Sequence, residues 1–144
     1  MPRAEGEQLA AWEATRLAVV RAEAEIERLL HEQRNQELVH YRVLATLLGA
    51  GGQMRMHELA EELVVGRSTA TRICDRLQRL GFVVRERSKQ DGRAVHVQLT
   101  RSGREEYRRC QPAYERFVND VFVRYLDETD VWSLSRITEK LHHN

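Results

Sequence analysis

Residues 56–103, MHELAEELVVGRSTATRICDRLQRLGFVVRERSKQDGRAVHVQLTRSG, decide the fold of this chain. Two helical patterns come first, at residues 56–63 and 67–80, and only Val64-Val65-Gly66 separates them. In the second pattern Ala70, Ile73, Leu77 and Leu80 recur every three or four positions, which gives a narrow apolar stripe and a polar opposite face. We therefore predict two short helices joined by a tight turn.

The hydrophobic period changes to two after Gly81. Residues 82–87 read as a strand, and residues 94–100 alternate apolar and polar side chains. The polar segment between them contains Asp91-Gly92, a typical hairpin turn. A helix pair followed by a two-stranded ribbon with a basic tip predicts a winged helix-turn-helix.

Further helical patterns flank this segment on both sides, at residues 8–31, 36–48, 102–126 and 127–141. The predicted order is α-α-α-α-β-β-α-α, a mainly α fold with a small β-wing. At 144 residues the chain is long enough for one domain. We predict a single domain over residues 1–144, with terminal helices at 8–36 and 104–144 around a winged-helix lobe at 37–103.

Charge is segregated along the sequence although the formal net charge is only +1. Between Arg67 and Arg109 there are twelve basic and five acidic residues, a net +7, whereas the remaining eleven basic and seventeen acidic residues give −6. A basic face on an otherwise acidic molecule is typical of proteins that bind polyanions, DNA above all.

The second helix of the pair is the candidate for reading base edges. A major groove admits one helix, and hydroxyl groups and arginines near its N-terminus read the bases while flanking arginines neutralise phosphates. The alternative is an ordinary amphipathic surface helix, which the neighbouring short helix and basic ribbon disfavour. The candidate residues are Arg67, Ser68, Thr69, Thr71, Arg72 and Arg76.

The ribbon supplies a second set of candidates. Arg93, beside Gly92 at the tip, suits a narrow minor groove, where the potential is most negative, and Arg87 belongs to the same basic surface. Asp91 would be repelled by phosphates. It either accepts hydrogen bonds that orient an arginine or simply suits the turn, and the two roles are compatible.

The stretch from residue 41 to residue 103 resembles the MarR family of bacterial regulators, through MHELAEEL, RSTATRICDRLQRLGFV, and DGR followed by AVHVQLTRSG. The resemblance implies a homodimer built from the first and last two helices, which binds a palindromic operator in double-stranded DNA and usually represses. It implies DNA roles for the recognition-helix residues and for Asp91 and Arg93. Gly66 departs from the serine cap common in the family.

The same resemblance implies an effector pocket where the dimer helices meet the DNA-binding lobe. Trp12 and Arg16, one turn apart, would suit a small aromatic or carboxylate ligand, although a surface ion pair is the commoner role for such an arginine. A dimer interface would bury the aromatic residues of the terminal helices, which are Trp12, Tyr107, Tyr114, Phe117, Phe122 and Tyr125.

Other classes of function are disfavoured. No catalytic triad, carboxylate pair or phosphate loop stands out, and Cys74 and Cys110 have no metal-site spacing, so we expect no enzyme, no cofactor and no metal. Cys74 reads as a small core residue in preference to a redox sensor. The charged N-terminal segment and the short apolar runs predict a cytoplasmic protein with no membrane span.

The sequence therefore favours a ligand-responsive, sequence-specific repressor. One alternative is an architectural DNA-binding protein that uses the same lobe without sequence preference, with a strong dependence on salt. Another is a winged helix that docks to protein, which the +7 segment disfavours.

Overall fold

A computed structural model of the chain describes residues 5–90 and 92–142. Its helices confirm the predicted helical segments, with most boundaries within a few residues. The short helix of the pair has the predicted ends. The helices are α1 (Gly6–Arg34), α2 (Leu38–Gly49), α3 (Met56–Leu63), α4 (Arg67–Arg79), α5 (Arg101–Val121) and α6 (Glu128–His142), with a 3₁₀ turn at Val123–Tyr125.

The sheet has one more strand than predicted. β1 (Gln53–Arg55) pairs antiparallel with β3 (Val95–Leu99), which also pairs with β2 (Val83–Arg87), so the strand order is β1-β3-β2. The predicted mainly α fold with a small β-wing is therefore confirmed, with one strand added to the predicted order α-α-α-α-β-β-α-α between α2 and α3. Gly51 and Gly52, at φ 87° and 102°, turn the chain into β1. Strand β1 is only three residues long, which is too short to show the alternation of apolar and polar side chains that predicts a strand.

Two clusters of buried residues hold the fold together. The first lies in the winged-helix lobe, where Leu44, Leu59 and Leu77 of three successive helices meet Val83 and Val97 of the sheet. Each of these side chains is fully buried. Because α4 packs Leu77 of its apolar stripe into this cluster, the polar face of α4 points toward solvent.

The second cluster joins α1 and α2 to α5. Tyr41 of α2 lies between Tyr107 and Tyr114 of α5, with ring centroids 5.5 and 4.4 Å away. Phe117 and Ile26 are buried in the same cluster. Phe117 is therefore covered by its own chain, which corrects its predicted place in a dimer interface.

The start of α5 is locked to the end of α4. Thr100 Oγ1 donates to the Gly81 carbonyl at 2.6 Å and accepts from the Gly103 amide at 3.0 Å, so it caps α5. A methyl group at Gly103 would overlap the Phe82 carbonyl oxygen and lie 3.1 Å from Leu99 Cδ2. The Leu-Thr-x-x-Gly sequence thus permits a close approach between α5 and the turn that leads into the wing.

Candidate nucleic-acid interface

Helix α4 buries one face and exposes the other. Ala70, Cys74 and Leu77 are buried. Ala70 and Leu77 belong to the predicted apolar stripe, and Cys74 does not. The residues predicted to contact DNA lie on the remaining surface. Arg67, Ser68, Thr71, Arg72 and Arg76 are exposed, and Thr69 is half-buried.

The N-terminus of α4 offers uncapped backbone amides. Gly66 is the N-cap residue in an extended conformation, at φ −68° and ψ 161°, and no side chain accepts a hydrogen bond there. The first N–H groups of a helix have no partner within the helix and attract anions. The missing serine cap at Gly66 therefore leaves these donors available to a phosphate oxygen.

A groove of about 350 Å³ runs between α3, the start of α4 and the wing. It brings together three predicted residues, Arg67, Thr71 and Arg93, which are up to 26 positions apart in sequence. It also contains His57 and Arg85, which the sequence analysis did not single out. Arg85 lies in a segment that reads as a strand, so the one feature of the sequence that could mark it as a site residue is its place in the basic stretch between Arg67 and Arg109.

Arg85 fastens the wing to α4. Its guanidinium forms an ion pair with the Asp75 carboxylate. Both its Nε and its backbone amide donate to Gln78 Oε1, at 3.2 and 3.1 Å. These contacts fix the angle between α4 and the ribbon.

The wing carries its predicted arginines on the surface. Arg87 Nη1 donates to the Gly92 carbonyl at 3.4 Å, and the Ser88 amide donates to the Ala94 carbonyl at 2.7 Å, which closes the ribbon. Arg93 is exposed. Asp91 lies outside the described residues, so its predicted role stays a prediction.

The predicted effector residues lie on α1. Residues 11–20 are all exposed, and Arg16 is paired with Glu13, its Nη2 and Nε at 3.0 and 3.1 Å from Glu13 Oε2. The surface ion pair that the sequence left open for Arg16 is therefore present. A ligand-binding role for Trp12 and Arg16 stays a prediction.

The two cysteines are buried and reduced. Burial raises the pKa of Cys74 to about 11, against the smaller opposing effect of Arg85, and raises the pKa of Cys110 as well. A thiol that holds its proton is a poor nucleophile.

Within residues 5–90 and 92–142 no cluster of three or more His, Cys, Asp or Glu side chains suits a metal ion, and no helix there is long and apolar enough to cross a membrane.

The element order, the sheet that extends into a basic ribbon and the exposed polar face of α4 define a winged helix-turn-helix. Residues 37–94 match the family model described as MarR family. The crystal structure of a MarR family transcriptional regulator from Streptomyces coelicolor in complex with DNA superimposes with a TM-score of 0.89 at 27% identity, over 99% of this chain and 90% of that one. The chain thus resembles the MarR family in sequence over residues 37–94 and resembles a MarR family structure in fold along almost its whole length.

Two curated relatives extend this comparison. The transcriptional repressor MprA of Escherichia coli strain K12 is 36% identical over 84 residues, which are 58% of this chain and 47% of that protein. The HTH-type transcriptional repressor IacR of Pseudomonas putida is 29% identical over 119 residues, 83% of this chain and 70% of that protein. The chain thus matches about half the length of the first of these relatives.

Proposed function

We propose that the chain is a sequence-specific DNA-binding transcriptional regulator, a ligand-responsive repressor that binds a palindromic operator as a homodimer. The observation that carries this proposal is the exposed face of α4 beside the wing. There Arg67, Thr71 and Arg93 line one groove, and the apolar face of the helix is buried in the lobe.

Within this surface we assign base reading to the N-terminal part of α4. Ser68, Thr69, Thr71 and Arg72 have short hydroxyl groups or a bidentate guanidinium, which are side chains that read major-groove edges. The Thr71 hydroxyl donates to the Arg67 carbonyl at 2.9 Å, so its oxygen keeps acceptor capacity toward a base amino group.

Contacts to the DNA backbone come from the flanks of the same surface. Arg67 and Arg76 on α4, together with the free amides at its start, neutralise phosphates, and Arg87 and Arg93 extend the basic surface along the wing. Phosphate contacts fix the position of the lobe on the duplex, and the α4 residues then supply the discrimination between sequences.

The homodimer is supported by apolar side chains that the single chain leaves uncovered. They lie in the first half of α1 and in α6, where Trp12 is 59% and Trp132 is 64% exposed, and none of the described residues of α6 is buried. A soluble chain rarely exposes so many large apolar groups without a partner. Two recognition helices related by a two-fold axis would read half-sites about 34 Å apart.

The relatives support the same conclusion. One structural neighbour was crystallised with DNA, and both curated relatives are named as repressors. Repression through this fold requires tight binding at one sequence, which an architectural protein does not need.

Selection of preferred DNA from a random pool at physiological salt tests the proposal. A palindrome with half-sites about one helical turn apart is the expected result. Binding without any enriched motif would favour the architectural protein, and no binding at all would favour a winged helix that docks to protein.

A further inference from the structure

Val64, in the turn between α3 and α4, holds a backbone conformation that valine rarely adopts. Its φ of 56° and ψ of 48° are left-handed. Glycine or asparagine is usual at this point of a helix end, because a side chain branched at Cβ crowds its own backbone there. Among the residues that the structure describes, Asn35 is the one other non-glycine residue with a positive φ.

Two backbone hydrogen bonds hold Val64 in this strained conformation. The Val64 amide donates to the Glu61 carbonyl at 3.1 Å, and the Val65 amide donates to the Ala60 carbonyl at 3.0 Å. Together these bonds close the end of α3. Residues that their surroundings force into such conformations cluster at sites that bind or switch, so the strain at Val64 directs attention to its side chain.

The Val64 side chain is almost uncovered by its own chain. It is 88% exposed, more than any other large apolar side chain of the described residues, whereas the neighbouring Val65 is half-buried. The proposed dimer would cover apolar side chains of α1 and α6, and Val64 lies outside these helices, in the winged-helix lobe. Its methyl groups are therefore available to another molecule.

The turn lies beside the end of α4 that faces the duplex in the proposed function. Consecutive Cα atoms are about 3.8 Å apart, so the Cα of Val64 lies within about 8 Å of the Cα of Gly66, the N-cap residue of α4. Glu61 and Glu62 precede the turn, and Arg67 follows it. The two carboxylates disfavour a phosphate beside Val64, so the matching part of the duplex is an uncharged, apolar edge.

We propose that Val64 packs its methyl groups against an apolar edge of a nucleotide, either the C5-methyl group of a thymine or the carbons of a deoxyribose. The inference rests on the proposed function and adds to it a contact that carries no charge. The left-handed backbone fixes the direction of the side chain, so little freedom is lost when the side chain meets the duplex.

Val64→Gly separates the strain from the contact. Glycine relieves the left-handed strain, so the melting temperature should rise by about 2–5 °C. The same change removes the side chain, so affinity for an operator obtained by random-pool selection should fall about five- to tenfold.

Two further variants serve as controls. Val64→Ile keeps a branched apolar side chain and should bind the operator within about twofold of the unsubstituted chain. Asn35→Gly changes the other left-handed residue, which is exposed in the link between α1 and α2, and should leave DNA affinity unchanged.

Operators in which each thymine is replaced in turn by deoxyuridine distinguish the two edges, because deoxyuridine lacks the methyl group. If Val64 contacts a thymine, one replacement should weaken binding of the unsubstituted chain about two- to fivefold and have no effect on Val64→Gly. If Val64 contacts a deoxyribose, no replacement should reproduce the loss, and Val64→Gly should bind unrelated duplexes more weakly by the same factor.

Other results overturn the proposal. Val64→Gly that binds the operator as tightly as the unsubstituted chain would remove the contact and leave the proposed function standing. An equal loss of affinity in Val64→Ile or Asn35→Gly would also remove it, since neither variant lacks an apolar side chain at residue 64. A lower melting temperature for Val64→Gly would contradict the strain. An unsubstituted chain that binds no duplex DNA would overturn the proposed function and this contact together.

Discussion

The Arg85 guanidinium on β2 forms an ion pair with the Asp75 carboxylate on α4. The Asp75 side chain is 45% exposed and the Arg85 side chain 22%, so the pair is partly shielded from water. Gln78, one turn further along α4, accepts two hydrogen bonds from Arg85. Helix α4 and the wing are therefore held as one unit by this ion pair and these two hydrogen bonds.

Asp75→Ala should lower operator affinity about tenfold, because the wing loses its fixed angle to α4. The free energy of unfolding should fall by only about 1 kcal/mol or less, as expected for a partly exposed ion pair. Fluorescence anisotropy with operator DNA and denaturant titration measure the two effects. The charge-swapped double variant Asp75→Arg, Arg85→Asp should recover part of the affinity; a swap no better than either single variant would contradict the positioning role.

Arg93→Ala should weaken DNA binding five- to tenfold, about 1 kcal/mol, and lower the slope of log affinity against log salt by about 1, since one cation leaves the interface. Titrations at several salt concentrations give both quantities. Lys140→Ala, which removes one charge from the exposed end of α6, is the matched control. Equal affinity for Arg93→Ala and the unsubstituted chain would exclude the wing from the interface.

Gly103→Ala should destabilise the chain by about 1–3 kcal/mol or more, because the added methyl overlaps the backbone carbonyl of Phe82, which has little freedom to move. Gly49→Ala is the control, since no atom lies within 4 Å of a methyl group there. In the last turn of α2 it should be neutral or slightly stabilising. Thermal denaturation compares the two, and equal melting temperatures would contradict the close approach of α5.

Cys74 should resist alkylation in the folded chain. With its pKa raised to about 11, its thiolate fraction at mildly alkaline pH is about a hundredfold below that of an ordinary cysteine of pKa 9, and burial blocks the reagent in addition. Mass spectrometry after brief iodoacetamide treatment measures this, with denatured chain as the control. Rapid labelling of Cys74 in the native chain would reopen a redox role.

The helices of the winged-helix lobe could be predicted from local patterns. MHELAEEL forms α3 with the predicted ends, and the apolar stripe through Ala70 and Leu77 predicts which face of α4 is buried. Both signals are local, because each depends on residues within a few positions of one another. Strand β1 has no such signal, since Gln53–Arg55 becomes a strand only by pairing with β3, more than forty positions later.

The contacts that assemble the site could not be predicted in the same way. Asp75 and Arg85 lie ten positions apart on a helix and a strand, so no periodicity relates them. Leu80 falls on the predicted buried stripe, but α4 ends at Arg79 and Leu80 is 46% exposed. In each case the surroundings of the side chain depend on how helices and strands pack together. The sequence of a single helix or strand does not specify that packing.

The most direct test of base reading by α4 is random-pool selection run in parallel on the unsubstituted chain and on Arg72→Ala. We expect a palindrome for the unsubstituted chain. For Arg72→Ala we expect the same palindrome with one base preference relaxed at the same position of both half-sites, and about 1–3 kcal/mol less affinity for the original operator. An unchanged motif with unchanged affinity would contradict the assignment of α4 as the helix that reads the operator.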